Sequence, residues 1–239
     1  MSDRLNNLGQ PIGFELPDWK PPPHPPRNPM IGRFCHLEPL DVPSHSKYLY
    51  DAYALDREAR MWTYLPYGPF ESFESFRAWM NENCLGNDPL FFAIVDQTSQ
   101  KPVGMASYMR IAPASGSIEV GHVLYSPLLQ KSSAATEAMY LMMRRAFELG
   151  YRRYEWKCDS LHANSRAAAE RLGFSFEGIF RQAIVYKNRN RDTAWYSIID
   201  REWPKLKKAF SQWLERDNFD DNSIQKCSLR ELIEKFSGV

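Results

Sequence analysis

Residues 118–138, IEVGHVLYSPLLQKSSAATEA, hold the types and spacings in this chain most capable of chemistry. An apolar strand carries one acid, Glu119, and one histidine, His122, and runs through a loop of small polar residues into a long helix. Either side chain could take a proton as a general base. Three residues apart, they point to opposite faces of an ideal strand, so one cleft receives both only if a bulge intervenes. A solvent-facing glutamate and a structural histidine fit the same residues. The loop, Gln130, Lys131, Ser132, Ser133, Ala134, Ala135 and Thr136, ends at a helix N-terminus, whose unpaired N–H groups and positive dipole end attract anions. Its small residues let the backbone approach a pyrophosphate, and Lys131 adds a mobile charge. A serine-rich turn capping an ordinary helix is the alternative.

Two further groups could face a cleft. Asp159, His162 and Ser165 lie in one turn that leads into a second helix, where an acid and a histidine could hold an ammonium, although turns use these residues without any function. Residues 61–70, MWTYLPYGPF, concentrate Trp62, Tyr64 and Tyr67 around two prolines. They read either as the wall of a substrate cleft or as packing against a core.

The elements that must position these groups follow from periodicity. A first strand is expected at 33–37, strands at 90–95, 103–108 and 117–124 as an antiparallel meander, and further strands at 153–158, 174–179 and 193–199. Helices are expected at 44–53 behind a serine cap, at 71–81, at 136–149 before Gly150 and at 165–172 before Gly173. This order argues for a mixed α/β (α+β) domain over residues 31–200 with helices on the faces of one sheet. Eight of the 17 prolines fall between Pro11 and Pro29, so residues 1–30 form an extended arm with Phe14, Leu16 and Trp19 as apolar handholds. Residues 201–239 read as a helical extension, with Trp203, Leu206, Phe210, Trp213 and Leu214 on one stripe and a capping box at Ser228 to Glu231. It would dock on the core or on a partner chain.

Bulk properties narrow the class. Thirty Lys+Arg against 29 Asp+Glu leave a net charge of +1, which provides no electrostatic case for nucleic acid or an anionic membrane. Cys35, Cys84, Cys158 and Cys227 form no CxxC pair and no zinc-ligand spacing, so no metal is expected and the thiols fit a reducing cytoplasm. No run approaches the length of a membrane helix and no signal-peptide core opens the chain.

The loop Gln130 to Ala135 resembles the acetyl-CoA loop of the GNAT superfamily, whose usual form is Gln or Arg, two residues, Gly, one residue, then Gly or Ala. Thr136-Glu137-Ala138 continues it as in the RimJ/RimL-like branch. Asp159-Ser-Leu-His-Ala-Asn-Ser165-Arg-Ala-Ala-Ala-Glu-Arg-Leu-Gly-Phe174 resembles that branch's second motif, with His162 in place of its usual Asn. The resemblance implies a mostly antiparallel sheet whose two central parallel strands, 117–124 and 153–158, splay to admit a thioester. It implies acetyl transfer from acetyl-CoA to a primary amine, on a small molecule or a peptide N-terminus. Coenzyme contacts would come from Val123, Leu124, Gln130 to Thr136 and Arg166. Glu119 or His122 would serve as base and Ser165 would serve the leaving thiolate, since the tyrosine many members use is Ala169 here. Trp62, Tyr64, Tyr67, Asp159 and His162 would face the acceptor. Ser133 replaces the family glycine, which implies altered loop geometry or weaker binding. A non-catalytic acyl-CoA-binding regulator is the alternative function, and a homodimer an alternative setting for the tail and arm.

Overall fold

The computed structural model describes residues 4–221 and 224–237. A short hairpin, β1 (Arg4–Leu5) with β2 (Pro11–Ile12), precedes an eight-stranded sheet. Its strands are β3 (Met30–Ile31), β4 (Cys35–Pro39), β5 (Leu90–Asp96), β6 (Pro102–Ala112), β7 (Ser117–Tyr125), β8 (Arg153–Asp159), β9 (Ser175–Tyr186) and β10 (Arg189–Ile199). They lie in the order β3-β4-β5-β6-β7-β8-β10-β9, and only β7 and β8 pair in parallel. The predicted meander is β5 to β7, and β4 adds a further antiparallel strand to it.

Among the described residues six α-helices cover the sheet. α1 (Val42–Tyr53) and α2 (Phe73–Asn83) bury Leu49, Tyr53, Phe76 and Met80 against Phe91, Ala93, Met105 and Leu124 on one face. α3 (Ser133–Glu148), α4 (Ala163–Arg171), α5 (Trp203–Trp213) and α6 (Leu229–Ser237) lie on the other, over Tyr108, Ile118, Val120, Tyr154 and Trp156. α1 begins earlier than periodicity suggested. Its cap is Asp41, whose carboxylate accepts from Ser44 N–H at 3.0 Å, and Pro43 fits the first turn because a helix start needs no N–H there. α3 stops at Gly150, at φ +97°, and the turn after α4 at Gly173, at φ +89°.

The arm wraps the domain through backbone carbonyls. Tyr151 Oη donates to the Pro23 carbonyl, and Arg145 donates to those of Asn28 and Pro29. Pro22 and Pro25 are buried while Phe14 and Leu16 are exposed, so the prolines and Trp19 do the packing rather than the first two handholds. The tail packs on the core: Tyr140 stacks on Phe210 at 5.3 Å and Phe147 on Trp203 at 4.8 Å. Ser228 and Glu231 close the expected capping box.

Candidate active site

The sheet opens in its middle. β7 and β8 pair from Ser117 with Arg153 to Val120 with Trp156 and then part, although β7 continues to Tyr125 and β8 to Asp159. The gap leads to the N-terminus of α3. Ser132 caps that helix, its hydroxyl accepting from Ala135 N–H at 3.1 Å, so the first amides of the helix, Ser133 and Ala134, have no carbonyl within it to bond. The left-handed residue of the loop is Lys131, at φ +58°, whereas Ser133 is already helical. The strain expected from a serine in the place of glycine therefore does not arise. Gln130 donates to the Tyr125 carbonyl at 2.9 Å and closes the loop on β7, and Thr136 Oγ1 accepts from Arg171 of α4.

Glu119 stands one residue before the splay and is 2% exposed. It is not the solvent-facing strand residue. Arg110 Nη1 donates to its Oε1 at 2.6 Å, and Lys157 Nζ lies 2.9 Å from Oε2. Both carboxylate oxygens thus lie against a cation, Oε1 on Arg110 and Oε2 on Lys157. Burial raises the Glu119 carboxyl above its ordinary pKa, and the charges of Arg110 and Lys157 pull it partly back. Lys157 also lies 2.8 Å from Glu155 Oε2 and over the Trp195 ring at 3.7 Å. Without that shared ammonium, Glu119 and Glu155 would face each other as like charges across registered strands.

The bulge between the two candidate bases exists. Across β6 and β7 the register moves from Ser107 opposite Gly121 to Met105 opposite Leu124, and His122 within it has φ +49°. The kink turns the imidazole to the α1/α2 face, where Tyr67 Oη lies 3.1 Å from Nδ1 and the ring packs beside Phe91. Burial first, and the charge of Arg110 second, lower the His122 pKa to about 4. The ring is neutral at pH 7. Burial also keeps the Tyr67 phenol protonated, so it has a proton to give Nδ1, which leaves the ring's own proton on Nε2.

Across the gap, Ser165 Oγ accepts from the Trp156 indole N–H at 3.0 Å, which leaves its own proton to donate. Arg166 points away from the loop, donating to Tyr196 Oη and to the Ser160 carbonyl. The Asp159 carboxylate accepts from Leu161 N–H and Tyr186 Oη. His162 stacks on Tyr64 at 4.2 Å, and burial lowers its pKa. Trp62 is a core residue, edge-on to Tyr53 and Phe70, while its carbonyl accepts from Lys187 at the β9–β10 turn. The aromatic segment, the α4 turn and this hairpin thus meet at one rim.

The family model for the acetyltransferase (GNAT) domain matches residues 36–175, more than half of the chain. The structure of a GCN5-related N-acetyltransferase from Brucella melitensis is 45% identical, covers 92% of this chain and 100% of its own, and superposes with a TM-score of 0.89. The chain belongs to the GNAT acetyltransferase family. A GNAT-family protein from Chromobacterium violaceum ATCC 12472 is 42% identical over 82% of this chain and 98% of its own, with a TM-score of 0.77. RimL, a ribosomal L7/L12 α-N-protein acetyltransferase solved with coenzyme A, shares the fold at 21% identity and a TM-score of 0.60, covering 72% of this chain and 99% of its own. Among curated proteins no relative matches.

GNAT enzymes draw their acyl group from acetyl-CoA, and this site fits that donor. A gap between parallel strands can take a thin pantetheine chain, and free amides beside small side chains at the α3 N-terminus suit its pyrophosphate. Sequence reasoning missed Arg110, Lys157 and Asp88. The alternating charges Arg153, Glu155, Lys157 and Asp159 in β8 were the available signal, but such a pattern ordinarily marks a solvated strand face. Among the described residues no helix is long and apolar enough to cross a membrane and no group of side chains could hold a metal ion.

Proposed function

We propose that this GNAT enzyme N-acetylates a primary amine, on a small molecule or a protein N-terminus, by direct attack at the splay, and that it belongs to the RimJ/RimL-like branch. The carrying observation is Glu119: a buried carboxylate one position before the last β7–β8 pair, Val120 with Trp156, flanked by two cations. Acetyl-CoA supplies the activated acyl group. Glu119 receives the proton of the incoming ammonium, directly or through water, and neutral His122, held by Tyr67, positions the acceptor. Val123 and Leu124, on the stretch of β7 that has parted from β8 while Leu124 stays opposite Met105 of β6, provide the main-chain donors for the developing oxyanion. Ser165 relays the proton that the attacking nitrogen loses as the intermediate collapses, giving its own to the departing thiolate and taking that one in exchange, and the amides of Ser133 and Ala134 with Lys131 and Gln130 hold the phosphates.

The aromatic rim of Tyr64 and Tyr67, with Asp159 and His162, shapes the acceptor entrance. Residues 31–200 form the transferase unit, braced by the arm and the tail. Branch membership rests on the loop 130–138 and the motif 159–174. Four unpaired thiols, Cys35, Cys84, Cys158 and Cys227, support work in the reducing cytoplasm.

Calorimetric titration with acetyl-CoA tests the coenzyme site. Wild type should bind, and Ser133→Glu, which sets a carboxylate beside the phosphates, should lose at least tenfold in affinity. Equal binding by both proteins would move the coenzyme elsewhere.

A further inference from the structure

Six charges alternate along the face of the sheet that α1 and α2 leave open: Arg110, Glu119, Lys157, Glu155, Arg153 and Glu177. Each contact is 2.9 Å or less. The inner members have a counter-charge on both sides. At the far end, Glu177 is filled by both Arg153 nitrogens and by the Ser197 hydroxyl. At the splay end stands Arg110, with half of its side chain exposed. Only Nη1 is engaged, by Glu119 and weakly by Met109 Sδ, while Nε and Nη2 have no acceptor among the described residues. The row therefore ends at the splay in an open guanidinium edge.

The backbone is strained to put it there. Met109 is registered opposite Glu119, so in a regular strand the next residue would point to the opposite face. Instead Arg110 has φ +46°, uncommon for a long side chain, within a one-residue bulge between Met109 and Ala112. Asp88 clamps that bulge. Its Oδ1 accepts from Arg110 N–H at 2.9 Å and its Oδ2 from Ile111 N–H at 3.0 Å. Arg110 and the Lys157 ammonium that Glu155 shares together neutralise Glu119, and that task occupies Nη1 of Arg110 alone, leaving Nε and Nη2 over. A guanidinium edge with parallel donors is shaped for a planar anion.

We propose that the acceptor is an amine carrying a carboxylate one or two carbons from its nitrogen, as an α- or β-amino acid does, and that Arg110 binds that carboxylate while Glu119 faces the amine. The inference rests on the reading of Glu119 given above. The 2.6 Å contact from Nη1 to Oε1 sets the open edge of the guanidinium beside the carboxylate of Glu119, a side chain 3% exposed that meets the amine through water. The α-carboxylate of a protein's first residue is tied up in a peptide bond, so a protein N-terminus that does not begin with Asp does not meet this pair. Asp88 is then a positioning residue that acts through the bulge.

The test uses the full chain with saturating acetyl-CoA, following release of free thiol. Matched acceptors are compared: L-phenylalanine with phenethylamine, L-methionine with 3-(methylthio)propylamine, β-alanine with ethylamine, and a peptide with a free N-terminus. The readout is the kcat/KM ratio of carboxylated to decarboxylated acceptor in wild type, Arg110→Gln, Arg110→Lys and Asp88→Asn. Differences in amine basicity, and any change at Glu119, affect both members of a pair and cancel when ratios are compared between proteins. At least one pair should show a ratio that falls tenfold or more in Arg110→Gln. Arg110→Lys should recover part of it, and Asp88→Asn should fall in the same direction by less. Acetyl-CoA titration confirms that each variant is folded. A ratio unchanged by Arg110→Gln, or turnover of decarboxylated amines or the peptide alone, overturns the proposal and leaves the acetyltransferase reading standing. Turnover of no amine, with acetyl-CoA bound, overturns both.

Discussion

Burial and counter-charge set opposite tendencies at the two side chains bracketing the splay. Glu119 has its pKa raised by burial, so kcat/KM should fall as pH drops through that raised value, where the carboxylate takes up a proton and ceases to be a base. Glu119→Gln should lower kcat about 100-fold and remove that acid limb, with acetyl-CoA affinity within about twofold of wild type. Steady-state pH profiles of both proteins check it, and a variant with an unshifted limb and wild-type kcat would remove Glu119 from the chemistry. At His122 the folded-state pKa is depressed to about 4 from 6.5. Below pH 6.5 the unfolded chain binds a proton the folded chain refuses, so this histidine should cost stability as pH falls from 6.5 to about 4, reaching about 3 kcal/mol. Asparagine tolerates a left-handed backbone, so His122→Asn should keep the bulge and flatten that slope in urea titrations across the window.

Local structure at the element scale is bought with a few buried hydrogen bonds. Glu137, in the first turns of α3, is 3% exposed and accepts from three successive amides, Arg33 at 2.7 Å, Phe34 at 2.6 Å and Cys35 at 2.9 Å. It ties the turn between β3 and β4 to the first turns of α3. Glutamine keeps one acceptor and turns an NH₂ toward donors, so Glu137→Gln should destabilise the fold by roughly 2–3 kcal/mol in urea unfolding. Gly32 permits the approach, since a Cβ there would lie 2.5 Å from the Glu137 carboxyl carbon. Glu137 entered the sequence reading only as part of a loop motif, because its three partners lie about a hundred residues away. Periodicity found α3 itself and the strand that feeds it, since both depend on neighbours in the chain.

For the molecule as a whole, the tail belongs to the core. Phe210 is fully buried, and Leu206 and Trp213 nearly so, against α3. Deleting residues 201–239 would strip aromatic partners from Tyr140 and Phe147 and should yield aggregate in gel filtration, with no cooperative unfolding transition. A soluble truncated monomer would show instead that the tail is dispensable.

Most elements, the caps at Gly150 and Gly173, the small-residue loop into α3 and the family were readable from residue order, because side-chain period, helix-end chemistry and motif spacing are local properties. Tertiary structure decided three other matters. It inserted β10 between β8 and β9, a pairing no local pattern encodes. It placed Glu119 in the interior among cations drawn from β6 and β8. It also broke the alternation of faces at Arg110 and His122, where single-residue bulges turn side chains that a regular strand would point elsewhere. A period of two predicts faces only while the ladder is regular, and around this site the departures from regularity select which side chains meet.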